Sequence, residues 1–136
     1  MMTRVQATVC AVVSGAVCLF ATIGAADEIG RAEYMNSCAA CHGEGGLGDG
    51  PLAELMTVDL PDLTQIKAQN DGVFPTLKVI HIVDGRTGVR GHGYPMPVWG
   101  NRFSNEIGGA AGPYGGEVLV RGRILSLVYF LDEIQE

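Results

Sequence analysis

Cys38-Ala39-Ala40-Cys41-His42 constrains this chain more than any other stretch. Two thiols three positions apart can each form a thioether to one edge of a porphyrin while the adjacent imidazole reaches the iron, and C-x-x-C-H is the attachment pattern of a c-type haem. On this reading Cys38 and Cys41 are covalent anchors and His42 is the proximal iron ligand. Two other readings use the same residues. A thioredoxin-like dithiol wants a βαβ context, with Pro and Gly rather than two alanines inside the motif. Half of a zinc site wants a second cysteine or histidine pair. Both need company that the sequence does not supply.

The remaining cysteines, Cys10 and Cys18, sit in the N-terminal segment. That segment carries one charge, Arg4, then an apolar run from Val9 to Ile23, and ends Gly24-Ala25-Ala26 before Asp27-Glu28. It reads as a secretory signal peptide over residues 1–26 with a small-residue cleavage site. The competing reading is an uncleaved membrane anchor, since Val5 to Ile23 is nearly long enough to span a bilayer, although Gln6, Thr8 and Ser14 interrupt it. Both place the domain, residues 27–136, outside the cytoplasm, in a bacterial periplasm, with membrane contact only if the segment stays attached. Cleavage after Ala26 leaves 110 of the 136 residues, with Cys38 and Cys41 as their only cysteines. No disulfide framework is then available.

Without Arg4 the domain holds 8 basic and 15 acidic side chains. Such an acidic balance disfavours nucleic acid and favours redox protein partners with basic docking patches. Glycines cluster at 43–50, 85–93 and 108–116.

Helices are expected at both ends and in the middle, with no alternating strand pattern and no internal repeat. Asp27 or Glu28 to Ser37 predicts an N-terminal helix with acids in its first turn and Ile29, Ala32 and Met35 on one side. A second short helix is predicted from Pro61 or Asp62 to Gln69. A third is predicted from Pro75, at N1, to Asp84, with Gly85 as its stop. Val120, Ile124, Leu127, Val128, Leu131 and Ile134 recur at three- and four-residue steps and predict a helix from about Glu117 to Ile134. The stretch from Gly85 to Gly116 reads as loop, too long for a compact domain unless it packs on a cofactor. A haem would supply much of the core that a small, glycine-rich chain otherwise lacks.

At this point the chain resembles the class I cytochromes c. Gly30 and Tyr34, eight and four residues before Cys38, are similar to the glycine and aromatic of that family's N-terminal helix, which pack against the C-terminal helix, where Leu127 and Phe130 take the contact positions. Gly48-Asp49-Gly50-Pro51-Leu52 resembles the loop whose proline carbonyl accepts a hydrogen bond from the proximal histidine. Tyr94-Pro95-Met96-Pro97-Val98-Trp99-Gly100 resembles the Met-Pro-x-Trp-Gly loop that carries the distal ligand in a subgroup of these proteins. The resemblance implies an all-α fold, three to five helices wrapped around one covalently bound haem c. It implies His42 and Met96 as the iron ligands, Pro51 orienting His42, and Trp99 along the haem edge with its indole N–H toward a propionate. Met96 follows His42 by 54 residues, a plausible length for wrapping the far face.

His92 and His81 are rival ligands. His81 falls on the predicted third helix, where a core or surface histidine is the default. Met35 and Met56 read as core or gap-filling residues. Arg86, Arg90 and Arg102 read either as propionate partners or as solvated loop charges. With His42 and Met96 both bound, no position on the iron is open and no catalytic constellation is evident. The function implied is a periplasmic single-electron carrier, not itself an enzyme. The alternatives are the electron-accepting haem subunit of a periplasmic dehydrogenase or oxidase, and a haem peroxidase or gas sensor with a displaceable sixth ligand.

Overall fold

The computed structural model describes residues 24–88 and 96–136; most of the expected leader, both of its cysteines, Arg90, His92 and the start of the Tyr94–Gly100 loop lie outside the described residues. Among the described residues five α-helices follow one another: α1 (Gly24–Ser37), α2 (Ala39–His42), α3 (Thr76–Asp84), α4 (Trp99–Ile107) and α5 (Gly112–Glu133). Single 3-10 turns at Ala53–Leu55, Leu63–Gln65 and Ala68–Asn70 fill the connection between α2 and α3. Among the described residues there is no strand, as the all-α expectation requires. No helix among them is long and apolar enough to cross a membrane.

The long C-terminal helix organises the rest. Its inner side buries Val120, Ile124, Leu127, Val128 and Leu131 against α1, α3 and α4. It begins five residues before the expected Glu117, because Pro113 in its first turn suits a helix start and the glycines at 115 and 116 are carried along by the packed helix behind them.

α1 crosses α5 at Gly30. A Cβ on Gly30 would strike the backbone carbonyl of Ser126 and come within 3.0 Å of the Phe130 Cβ, so only glycine lets the two helices touch there. One turn on, Tyr34 is fully buried with its ring centroid 5.0 Å from that of Phe130. The buried side of α1 is therefore Gly30 and Tyr34; the expected side of Ile29, Ala32 and Met35 is exposed. Tertiary contact with α5, not apolar count along α1, decides which side turns inward.

α3 matches its expected span and stops at Gly85, whose left-handed backbone lets its N–H reach the carbonyl of His81 at 3.0 Å. Pro75 stands just ahead of the helix and not at N1.

The helix expected over Pro61–Gln69 is replaced by two 3-10 turns. Asp62 accepts hydrogen bonds from the Thr64 N–H and hydroxyl at 2.9 and 2.6 Å, a local closure that competes with helix. The bond an α-helix would make from Lys67 N–H to the Leu63 carbonyl is also pre-empted. The Gln135 side chain takes that N–H on its Oε1 at 2.8 Å and donates its own amide to the Leu63 carbonyl at 2.8 Å.

α4 lies within the stretch expected to be loop. Trp99, Phe103 and Ile107 recur at four-residue spacing; Trp99 and Phe103 are buried with ring centroids 5.5 Å apart. Arg123 ties three helices together: it makes two hydrogen bonds to Glu33 on α1 and one to Glu106 on α4, all between 2.8 and 3.0 Å, with its guanidinium 3.9 Å from the Phe103 ring.

Candidate functional site

Cys38 leaves the end of α1 with its N–H bonded to the Tyr34 carbonyl, and α2 is the single turn that carries the rest of the motif. The following loop folds back over that turn. Gly43, Leu52, Gly50 and Gly48 donate their N–H groups to the carbonyls of Ala39, Ala40, Cys41 and His42 in turn, at 2.8 to 3.1 Å. Gly50 sits so close that a Cβ there would lie 2.6 Å from the carbonyl oxygens of Ala39 and Ala40. The motif is thus held from both sides: by Tyr34, whose hydroxyl donates to the Gly43 carbonyl at 2.6 Å, and by the glycine loop.

Two cavities open on this turn. The first, about 500 Å³, is bounded by Cys38 and His42, by Leu63 and Ile66, by Val79 and Val83 of α3, by Leu127 and Leu131 of α5, and by Met96. The second, about 360 Å³, is bounded by both cysteines and His42, by Leu52, Met56 and Leu60, and by Met96, Pro97 and Trp99. Cys38, His42 and Met96 belong to both walls. Two mainly apolar spaces that meet at a thiol, an imidazole and a thioether, with the second thiol on the wall of one of them, suit a flat, apolar, iron-bearing macrocycle, and these donor types fit a haem c.

The other readings of the motif fare less well. Burial, with Glu33 and Cys41 adding to it, pushes the Cys38 thiol up to about 12. A redox dithiol needs the opposite shift, since the thiolate is the nucleophile. Among the described residues no group of three or more His, Cys, Asp or Glu side chains could hold a metal ion, whereas a zinc site asks for such a group.

Of the sequence-predicted site residues, Cys38, Cys41, His42, Met96 and Trp99 come together on these walls. Pro51 is exposed and lines neither cavity, but Gly50 and Leu52 on either side of it are bonded to the motif backbone. His81 lines neither cavity; it bounds an open surface hollow with Pro75, Leu77 and Lys78. Met56 fills a cavity wall, while Met35 is exposed. Arg102 lines the second cavity with its guanidinium 5.2 Å from the Trp99 ring centroid, in place for an acidic group there. Arg86 lines neither cavity; it is committed to Asp84 and Glu117. Lys78, on the first cavity, escaped the sequence reading. Its place one residue before the buried Val79 on α3 was the signal that could have found it.

A family model described as Cytochrome c matches residues 28–109, a span that holds the C-x-x-C-H motif, Met96 and helices α2 to α4. No curated protein and no solved structure matches the chain. The family match covers more than half of the sequence and holds every residue on the walls of both cavities except Leu127 and Leu131, and the chain therefore belongs to the cytochrome c family, as a haem-based electron carrier whose haem c is covalently attached.

Proposed function

We propose that this protein is a periplasmic single-electron carrier in which His42 and Met96 are the two axial ligands of one haem c. The carrying observation is that His42 and Met96 share the walls of both cavities with Cys38. Haem c supplies a one-electron couple at its iron. The chain's own residues set how that couple behaves. Cys38 and Cys41 form the thioethers that prevent haem loss. His42 is buried and held by a turn whose carbonyls are all bonded, which supports a fixed imidazole. The Pro51 carbonyl, on the loop pinned over that turn, would accept the imidazole N–H of the bound ligand and raise its basicity. Met96 is followed at once by Pro97 and three residues on by the buried Trp99, so its sulfur is held on a short, stiff tether. A thioether beside an imidazole favours ferrous iron and raises the potential. The Trp99 indole N–H and Arg102 serve the propionates. With His42 and Met96 both holding the iron, the chain would offer substrate no open site there, and electron transfer would be the chemistry the haem supplies.

The acidic surface fits docking to redox proteins with basic patches, and residues 1–26 act as the export signal. The test is optical and chemical. The oxidised protein should be low-spin, inert to carbon monoxide when reduced, and show the weak sulfur-to-iron charge-transfer band. Met96→Ala should remove that band, admit carbon monoxide and lower the potential. Retention of spectrum and potential in Met96→Ala would overturn the ligand assignment, and His92 would be the next residue to replace. Carbon monoxide binding by the unaltered protein would overturn the carrier reading.

A further inference from the structure

Away from the cofactor cavities, α5 carries a second apolar surface. Tyr114, Val118, Gly122, Leu125 and Tyr129 recur at steps of four, four, three and four, and so form one stripe along the helix. Its side chains are open to solvent: Tyr114 is 84%, Val118 52%, Leu125 36% and Tyr129 51% exposed. The inner side of the same helix is already buried, so the stripe has no partner among the described residues of this chain. Gly122 stands at its centre. Glycine is a poor helix former, yet among the described residues a Cβ there would meet nothing within 4 Å, so no packing between them calls for it. Gly30 shows what a bare position on a helix does in this fold: it lets α1 lie against the backbone of α5 at Ser126. Gly122 presents the same bare backbone outward.

We infer that this stripe is a self-association surface, and that α5 packs antiparallel on α5 of a second copy of the chain with the helices crossing at Gly122. The pattern is self-complementary, as a two-fold interface demands. Counted from Gly122, the tyrosines stand eight before and seven after, and Val118 and Leu125 stand four before and three after. An antiparallel pairing about Gly122 sets Tyr114 of one copy against Tyr129 of the other, and Val118 against Leu125. It also brings the exposed Asp132, ten residues past Gly122, to the start of the other copy's α5 at Gly112, ten residues before it. A carboxylate is favoured at that helix end. Charge selects the same place. The chain carries a net charge of −6, so two copies repel over most of their surfaces, and the uncharged stripe is where they approach at least cost.

The area is modest. Two tyrosines, a valine and a leucine offer on the order of 400 Å² from each copy, which places the dimer at the weak, reversible end of specific interfaces. Leu127 and Leu131, which wall the first cavity, lie on the other side of α5. Both haem sites of the dimer therefore stay open to redox partners.

Sedimentation equilibrium of the haem-loaded protein from micromolar to millimolar concentration tests the inference. The unaltered protein should pass from monomer to dimer within that range. Gly122→Glu has room for its side chain and a better helix former, so it should melt no lower than the unaltered protein, yet remain monomeric throughout. Gly122→Cys should give a disulfide-linked dimer on mild oxidation. An unaltered protein that stays monomeric at millimolar concentration would overturn the inference, as would a dimer that Gly122→Glu leaves intact. So would a monomer that sediments with phosphatidylglycerol vesicles and loses that binding on Gly122→Glu, which would assign the stripe to a lipid surface.

Discussion

The hydroxyl of Tyr34 donates a hydrogen bond of 2.6 Å to the carbonyl of Gly43, joining the helix that leads into the haem motif to the residue that leaves it. Burial raises the Tyr34 pKa well above its ordinary value, so the hydroxyl stays a donor at any pH the protein meets. Tyr34→Phe keeps the ring against Phe130 and removes only this bond. It should cost about 0.5–1.5 kcal/mol, the net worth of one hydrogen bond, because the Gly43 carbonyl keeps the Gly46 N–H at 3.3 Å. Urea unfolding of the haem-loaded variant gives the value, and no loss of stability would mean that the bond contributes nothing.

The crossing of α1 and α5 makes a second claim. Phe130→Ala should leave a cavity beside Tyr34 and cost about 3–5 kcal/mol, since the side chain is almost fully buried. Gly30→Leu should be worse, because the clash is with the backbone of Ser126, which cannot step aside as a side chain can. Circular dichroism melts of both variants decide the matter. Unchanged midpoints would show that the helices do not meet at these residues.

Acid should loosen the junction between α3 and α5. Hydrogen bonds first from Arg86 and then from Arg121 hold the Glu117 carboxyl at about 2, against an ordinary value of 4.5, and Arg86 likewise lowers Asp84. Because the folded values lie below the unfolded ones, this contribution is complete above the unfolded value and is lost as pH falls from there through about 2. Each pair is partly open to solvent, so the effect should stay below about 1 kcal/mol per pair and shrink in salt. Arg86→Met should flatten the fall in urea midpoint between about pH 5 and pH 3. An unaltered slope would show that other carboxylates carry the acid limb.

What could be read from the sequence was what neighbouring residues decide among themselves. The haem motif is five consecutive residues, α3 ends at a glycine that its own backbone requires, and the inner side of α5 repeats at helical spacing. Gly30, Tyr34 and Phe130 were legible only through resemblance, since nothing local says that two helices a hundred residues apart will cross. The misses have the same origin. Gln135 takes the backbone groups that would have made 61–69 a helix, from the far end of the chain. Arg123 finds Glu33 ninety positions away. α4 was hidden because glycines and prolines around it outweighed the four-residue spacing of Trp99, Phe103 and Ile107, whose burial against α5 supplies what propensity does not.

Gly100 links these distant contacts to the proposed iron ligand, Met96. A Cβ on this residue would strike the Asp84 carboxylate and the Arg86 side chain, which are themselves locked to each other and to Glu117. Gly100→Ala should therefore push the start of α4 away from the end of α3. Overpacking of this kind costs about 1–3 kcal/mol. Its second consequence is specific to the site: α4 begins at Trp99, three residues after Met96, so a shift of its first turn pulls on the ligand tether. The variant should keep its covalent haem by mass spectrometry while its sulfur-to-iron band weakens and carbon monoxide gains access. Arg86→Ala made in the same chain removes one of the two side chains in the way and frees the Asp84 carboxylate to swing aside, and so should restore part of the band. If Gly100→Ala lowers stability but leaves the band at full strength, the α3 and α4 contact is structural support alone and does not reach the iron.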